Sequence, residues 1–211
     1  MKREEKNALS RQRILDGALR EFSQKGYHAA SMNTICVQND ISKGIIYHYF
    51  KDKDELYLLC AADCFEKLTA YLKETAGDGT GTVEARLQAY FDARLRFFTQ
   101  EPVYLGIFLN ATLNPPPHLT AEIAAVKKPF DEQNIAIFTR LLESVPLRTG
   151  ITVSAVVEDF RMYMDYFNAR LRVVFAETEG SQRALQEHEE RCYRQLSILL
   201  YGVLGRENEQ R

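Results

Sequence analysis

Apolar residues recur at steps of three and four through nearly all of this 211-residue chain, and Gly and Pro fall mostly between those stretches. That spacing lays one apolar stripe along a helix, whereas a half-buried strand alternates every second residue. No run of β-branched residues in strict alternation, bounded by turn residues, breaks the pattern. The expected fold class is therefore all-α. Apolar residues make up 45% of the sequence and charged residues 27%, the balance of a chain that buries a core.

The punctuation predicts nine helices. The first spans about residues 8–25, with Ile14, Ala18, Leu19 and Phe22 on its stripe, and Gly26 ends it. Ser31 caps the second, Asn39-Asp40 turn the chain, and Ser42 caps a short third. A fourth helix begins near Lys53. Gly77 to Gly81 read as a linker. A fifth helix ends near Gln100, Pro102 opens a strongly apolar sixth, and Pro115-Pro116-Pro117 stops it. The seventh spans about 120–145, with a kink or break expected at Pro129. The eighth and ninth span about 152–177 and 181–203.

Charge is unevenly distributed along the chain. The formal net charge is -2. Residues 1–53 carry 10 Lys/Arg against 6 Asp/Glu, a surplus of +4; residues 54–211 carry 17 against 23, a deficit of -6. A basic head on an acidic body directs an anionic partner to the first part alone. The expected division is residues 1–53 as a head that meets the anionic partner and residues 54–211 as a helical body.

Residues 31–50, SMNTICVQNDISKGIIYHYF, read as a helix, a tight turn and a second short helix. This is the spacing of a helix-turn-helix, whose second helix enters the DNA major groove. Ser42 and the free N–H groups beside it suit a phosphate, and Lys43 adds positive charge at the same end. Gly44 permits close approach to the duplex, and Ile45 suits a thymine methyl. Tyr47 and His48 are aimed at the backbone, and Lys53 suits a further phosphate. With Ser31, these eight are the expected DNA contacts. Tyr49 and Phe50 are expected to face the small core. Arg11 and Arg13 are weighed equally between DNA contact and a solvated helix end.

Residues 10–60 resemble the DNA-binding domain of the tetracycline-repressor (TetR/AcrR-type) family of bacterial regulators. The resemblance is carried by Phe22, Gly26-Tyr27, Ser31-Met32, Ile35-Cys36, and the run from Ile41 through Ser42, Gly44, Tyr47 and Phe50 to Lys53 and Leu56. It covers about a quarter of the chain. Asn39-Asp40 stand where the family often has Ala-Gly, and Cys36 where Ala is common. The resemblance implies a ligand-responsive regulator, in the usual case a repressor, that binds a palindromic double-stranded DNA operator as a homodimer and is released by a small hydrophobic or aromatic effector.

The last two helices carry sustained seams. Val157, Phe160, Met164, Phe167 and Leu171 step by three and four, as do Cys192, Leu196, Leu199 and Val203. Such seams fit antiparallel helices in a bundle. By the resemblance, the bundle crosses a twofold axis and these residues form the dimer interface. The resemblance also places an effector pocket among the middle helices. Its candidates are Phe97, Tyr104, Phe108, Asn110, Phe138, Met162, Tyr163 and Tyr166, with Arg94, Asn114, His118, Asp165 and Asn168 as further polar interruptions.

Other classes find little support. No G-x-S-x-G, phosphate-binding Gly loop or H-E-x-x-H appears, so no enzyme, cofactor or metal site is expected. Cys60 and Cys64 are four apart but lack a second pair at ligand spacing. Few, scattered cysteines suit a reducing cytoplasm. The charged start and the lack of a long apolar run predict neither signal peptide nor membrane span. The alternative is a dimeric all-helical small-molecule-binding protein or enzyme without DNA-binding activity.

Overall fold

The computed structural model describes residues 3–75, 81–177 and 182–203. Nine α-helices and no strand occur among them: α1 Arg3–Ala29, α2 Met32–Gln38, α3 Lys43–Tyr49, α4 Lys53–Thr75, α5 Val83–Gln100, α6 Pro102–Leu113, α7 Thr120–Glu143, α8 Val153–Glu177 and α9 Gln182–Val203. A 3-10 turn, Pro117–Leu119, joins α6 to α7. The expected linker at Gly77 to Thr80 lies outside the described residues. Among those described, no helix is long and apolar enough to cross a membrane.

The chain packs into two compact units. The first gathers α1 to α3, α4 as far as Lys67, α6, the 3-10 turn and α7 as far as Lys128. The second gathers the rest of α4, α5, α7 from Pro129, and α8 and α9. This division follows packing and is a separate matter from the functional boundary expected after residue 53. Helix α6 lies beyond that boundary in sequence yet packs on α1.

In the first unit, Ile14, Ala18, Phe22, Ile35, Ile46, Phe50, Leu56 and Tyr57 are buried together as core residues. Phe22 meets Tyr57 edge-on at 5.0 Å between ring centroids. Each such side chain contributes about 1.5–3 kcal/mol by leaving water. Helix α1 is interrupted at Gly26, whose φ of 68° is the left-handed conformation that glycine alone adopts without cost. The Asn110 side chain of α6 fills the space beside it, 3.0 Å from where a Cβ would sit. Asn110 Nδ2 also donates to the Gly106 and Phe22 carbonyls, at 2.7 and 3.5 Å. A polar side chain thus joins α6 to α1 where the α1 backbone is bent.

In the second unit, α9 packs on α5 and α8. Phe91 of α5 meets Tyr193 of α9 at 6.1 Å, and Phe138 of α7 stacks on Phe160 of α8 at 4.2 Å. The Tyr90 hydroxyl donates to Asn134 Oδ1 at 2.8 Å, joining α5 to α7.

Of the kink or break expected at Pro129, no break occurs: α7 is one helix from Thr120 to Glu143 with the proline inside it. Proline removes one backbone hydrogen bond, a local loss that packing on either side can outweigh. Ile123 is buried before Pro129 and Phe130 directly after it.

Candidate nucleic-acid interface

The α2–turn–α3 segment is held by caps and by side chains from α1. Ser31 Oγ accepts the Asn33 N–H at 3.2 Å, and the Ser31 N–H donates to Glu21 Oε1 at 3.1 Å. Glu21 is buried and also pairs with Lys25 at 3.0 Å, so one carboxylate fixes the start of α2. The turn closes through the Ile41 N–H donating to the Cys36 carbonyl at 2.9 Å, with Asp40 at φ 53°. Asp accepts this left-handed conformation better than most side chains.

Asn39 is the hub of the turn. Arg13 Nη2 donates to its backbone carbonyl at 2.8 Å and Arg20 Nη2 to its Oδ1 at 2.7 Å. Its own Nδ2 donates to the Ile35 carbonyl at 2.7 Å. Gly17 leaves room for this side chain; a Cβ there would fall 2.1 Å from Asn39 Nδ2. Arg13 is therefore engaged in scaffolding the turn, and Arg11 lies over the Phe50 ring at 5.3 Å. The clamp depends on α1 and on the turn being brought together across 19 and 26 residues of sequence, so local patterns did not disclose it.

Helix α3 has an inward and an outward side. Ile46 and the following Phe50 are buried. Ser42, Lys43, Gly44, Ile45, Tyr47 and His48 are all exposed. Ser42 Oγ caps the helix by accepting the Ile45 N–H at 3.4 Å. Ser31 and Lys53 flank this face and are half-buried. Lys53 Nζ donates to the His28 carbonyl at 3.3 Å and lies 4.5 Å from the Tyr27 ring centroid. It opens α4, whose start is fixed by the Glu55 N–H donating to Asp52 Oδ1 at 2.9 Å and the Lys51 N–H donating to Glu55 Oε2 at 2.6 Å. Phe50 faces the core as expected, while Tyr49 is half-buried and its hydroxyl donates to Asn7 Oδ1 at 3.1 Å.

Gly44 stands apart from the glycines above. A Cβ added there meets nothing within 4 Å, so no packing inside the chain requires glycine. Glycine within a helix is less stable than alanine by up to about 1 kcal/mol. Gly44→Ala is expected to hold or raise the thermal midpoint while weakening binding to operator-like DNA about tenfold. Melting curves and fluorescence anisotropy on the same samples read the two effects.

The eight expected effector residues are divided between the two units. Tyr104, Phe108 and Asn110 belong to the first unit, and Phe97, Phe138, Met162, Tyr163 and Tyr166 to the second. The Tyr104 hydroxyl donates to Asp63 Oδ2 at 2.6 Å and is bonded to Lys67. Burial and the Asp63 hydrogen bond push its pKa up to about 12. Phe108 packs edge-on against Phe65, and Phe97 lies against Tyr71. Met162, Tyr163 and Tyr166 point to solvent, at 59%, 46% and 59% exposure. An open groove of about 790 Å³ does lie along α7 and α8. Thr139, Glu143, Val157, Glu158, Arg161 and Met162 line it, and most of these carry no periodic signal in sequence.

Four of the nine residues expected at a dimer interface are interior to the protomer. Phe160, Phe167, Cys192 and Leu196 are buried, and Val157, Met164 and Leu199 are half-buried. The side chains of Leu171 and Val203 lie outside those described. Helix α8 has two apolar faces; at about 100° per residue, Met162 and Tyr166 point roughly 130° around the helix from Phe160 and Phe167. Ile198 and Tyr201 of α9 are likewise exposed, Tyr201 at 68%.

The interior of the second unit also holds a charged cluster. Arg94 Nη2 of α5 and Glu189 Oε1 of α9 are 3.2 Å apart, with side chains 5% and 3% exposed. Burial raises the Glu189 pKa and the Arg94 charge opposes that shift. The neighbouring His188 is pushed down to about 4 by burial and by the charges of Arg94 and Arg191, so it is neutral at pH 7.

An exposed basic helix capped by serine, set by a tight turn on a small buried core, defines a helix-turn-helix DNA-binding head. Residues 14–60 match the family model described as bacterial regulatory proteins, tetR family. The chain is 26% identical over 186 residues to the HTH-type transcriptional repressor AcnR of Corynebacterium efficiens, covering 86% of this chain and 91% of that one. Its fold is similar to a TetR-family transcriptional regulator from Cytophaga hutchinsonii (TM-score 0.70, 14% identity, 96% of this chain and 98% of the other). It is also similar to the transcriptional regulator FadR from Bacillus subtilis in complex with stearoyl-CoA (TM-score 0.64, 16% identity, 86% and 97%). The head therefore carries the DNA-binding segment of the tetR family, and the chain as a whole is similar to transcriptional regulators of that kind.

Proposed function

We propose that this protein is a repressor that binds a palindromic operator as a homodimer and is released by a small hydrophobic or aromatic effector. The observation that carries the reading is the outward face of α3, where Ser42, Lys43, Gly44, Ile45, Tyr47 and His48 are all free of the core. In this reading residues 1–53 bind DNA. Lys43, the Ser42 end of α3 and Lys53 meet phosphates, and Ile45 meets a base edge. Ser31 holds the start of α2 against the same backbone.

Residues 54–211 then carry dimerisation and effector binding. The exposed apolar side chains Met162, Tyr163, Tyr166, Ile198 and Tyr201 support a dimer formed by α8 and α9. A single head reads one half-site, and a twofold pair reads an inverted repeat. An apolar effector is supported by the similarity to FadR, whose structure is a complex with stearoyl-CoA, and by the aromatic residues of the body. Operator and effector act on one equilibrium, so each must weaken the other's binding by the same factor.

The test is a titration of the purified protein against duplex DNA from the promoter region beside its own gene. Binding is expected to be sequence-specific, to saturate at two protomers per inverted repeat, and to weaken steeply with salt. Equal affinity for a scrambled duplex would refute a specific regulator.

A further inference from the structure

Asp54, the second residue of α4, is held by two side chains from distant parts of the chain. The Tyr27 hydroxyl donates to its Oδ1. His118 Nε2 lies 3.2 Å from its Oδ2. The same His118 nitrogen is 3.3 Å from the Tyr27 hydroxyl, and the two rings pack at 5.5 Å and 64°. Lys53, the chain neighbour of Asp54, lies over that Tyr27 ring.

This arrangement bears directly on Lys53. Asp54 and Glu21 are the carboxylates whose charges act on the Lys53 ammonium. Glu21 is engaged by Lys25 and the Ser31 N–H. Asp54 is one residue away. Each of its oxygens meets one side chain, Tyr27 at one and His118 at the other, and these two partners set where the carboxylate points.

We propose that His118 is a positioning residue for DNA binding: by holding the Asp54 carboxylate turned toward itself and Tyr27, it keeps that carboxylate off Lys53 and leaves the ammonium to a DNA phosphate. This rests on the reading of Lys53 as a phosphate contact. His118 sits in the 3-10 turn between α6, which packs on α1, and α7, which continues into the second unit. A displacement of either helix that withdraws His118 frees Asp54 Oδ2 for Lys53. The ammonium is then neutralised by its neighbour and no longer displaces a counterion from DNA. The chain thereby carries a route from the effector-binding part to a phosphate contact that needs no change in α3.

A double-mutant cycle tests this. His118→Ala, Lys53→Ala, the double variant and His118→Gln are titrated as full chains against the promoter-region duplex over a range of salt. In the Lys53 background, His118→Ala is expected to lower affinity about fivefold, the upper range for an exposed ion pair. It also flattens the salt dependence by up to about one phosphate's worth, a slope of roughly 0.9. In the Lys53→Ala background the same substitution costs less than about twofold. His118→Gln, which keeps a donor for Asp54, stays within about twofold of the parent. Equal losses in both backgrounds, or no loss beside Lys53, overturn the proposal and leave the DNA-binding function standing. Failure of the unsubstituted protein to bind specifically overturns both.

Discussion

Glu189→Ala is expected to destabilise the protein by about 3–5 kcal/mol, the usual cost of removing one member of a buried ion pair. Arg94 is 5% exposed and Glu189 is its carboxylate partner across α5 and α9. Without it, the guanidinium remains in the core beside Tyr90 and His188 with the Glu189 carboxylate gone. Relaxation that lets water reach Arg94 would separate α9 from α5. The measurement is the midpoint of chemical unfolding, followed by circular dichroism. The double variant Arg94→Met/Glu189→Leu should recover most of the loss, because two apolar side chains carry no desolvation penalty. A single-variant cost under about 1 kcal/mol would mean that the pair is solvated and that α9 is not anchored there.

The second large effect is on DNA. Lys43→Ala/Tyr47→Ala is expected to lower affinity for the inverted repeat by about 100-fold, since hydrogen bonds to charged groups are each worth about 1.5–3 kcal/mol. Both side chains are exposed and outside the core, Tyr47 at 54%, so the unfolding midpoint should be unchanged. The salt slope should fall by about 0.9 per protomer from the loss of Lys43, with little contribution from neutral Tyr47. Anisotropy titrations at several salt concentrations read both quantities. Less than a threefold loss would remove α3 from the interface and favour a helical protein that senses a ligand without binding DNA.

Much of the head was legible because its determinants are local. Ser31 and Ser42 cap the helices that follow them, Asp40 takes the left-handed turn, and Ile46 and Phe50 turn inward, all within a few residues of the signals that predict them. The outward set on α3 follows from the same periodicity. What escaped the local signals was the clamp of Arg13 and Arg20 on Asn39, and the meeting of Tyr27, Asp54 and His118. These join residues up to 91 apart in sequence, and no spacing rule spans such a distance.

The body was legible as helices and much less so as a site. Apolar spacing located α8 and α9 within a residue or so, since 3.6-residue periodicity is a property of each segment alone. It could not say which of two apolar faces on α8 turns inward. That depends on what lies alongside: Phe138 takes Phe160, and His188 meets Phe167, leaving Met162, Tyr163 and Tyr166 outside. Sequence alone determined that the chain is helical, where most of its helices begin and end to within a few residues, and that its basic head carries a helix-turn-helix; α1 runs past the expected 8–25 to Arg3–Ala29. Only the tertiary structure decided which stripes became core and which became surface, because burial is a relation between segments and each stripe by itself suits either.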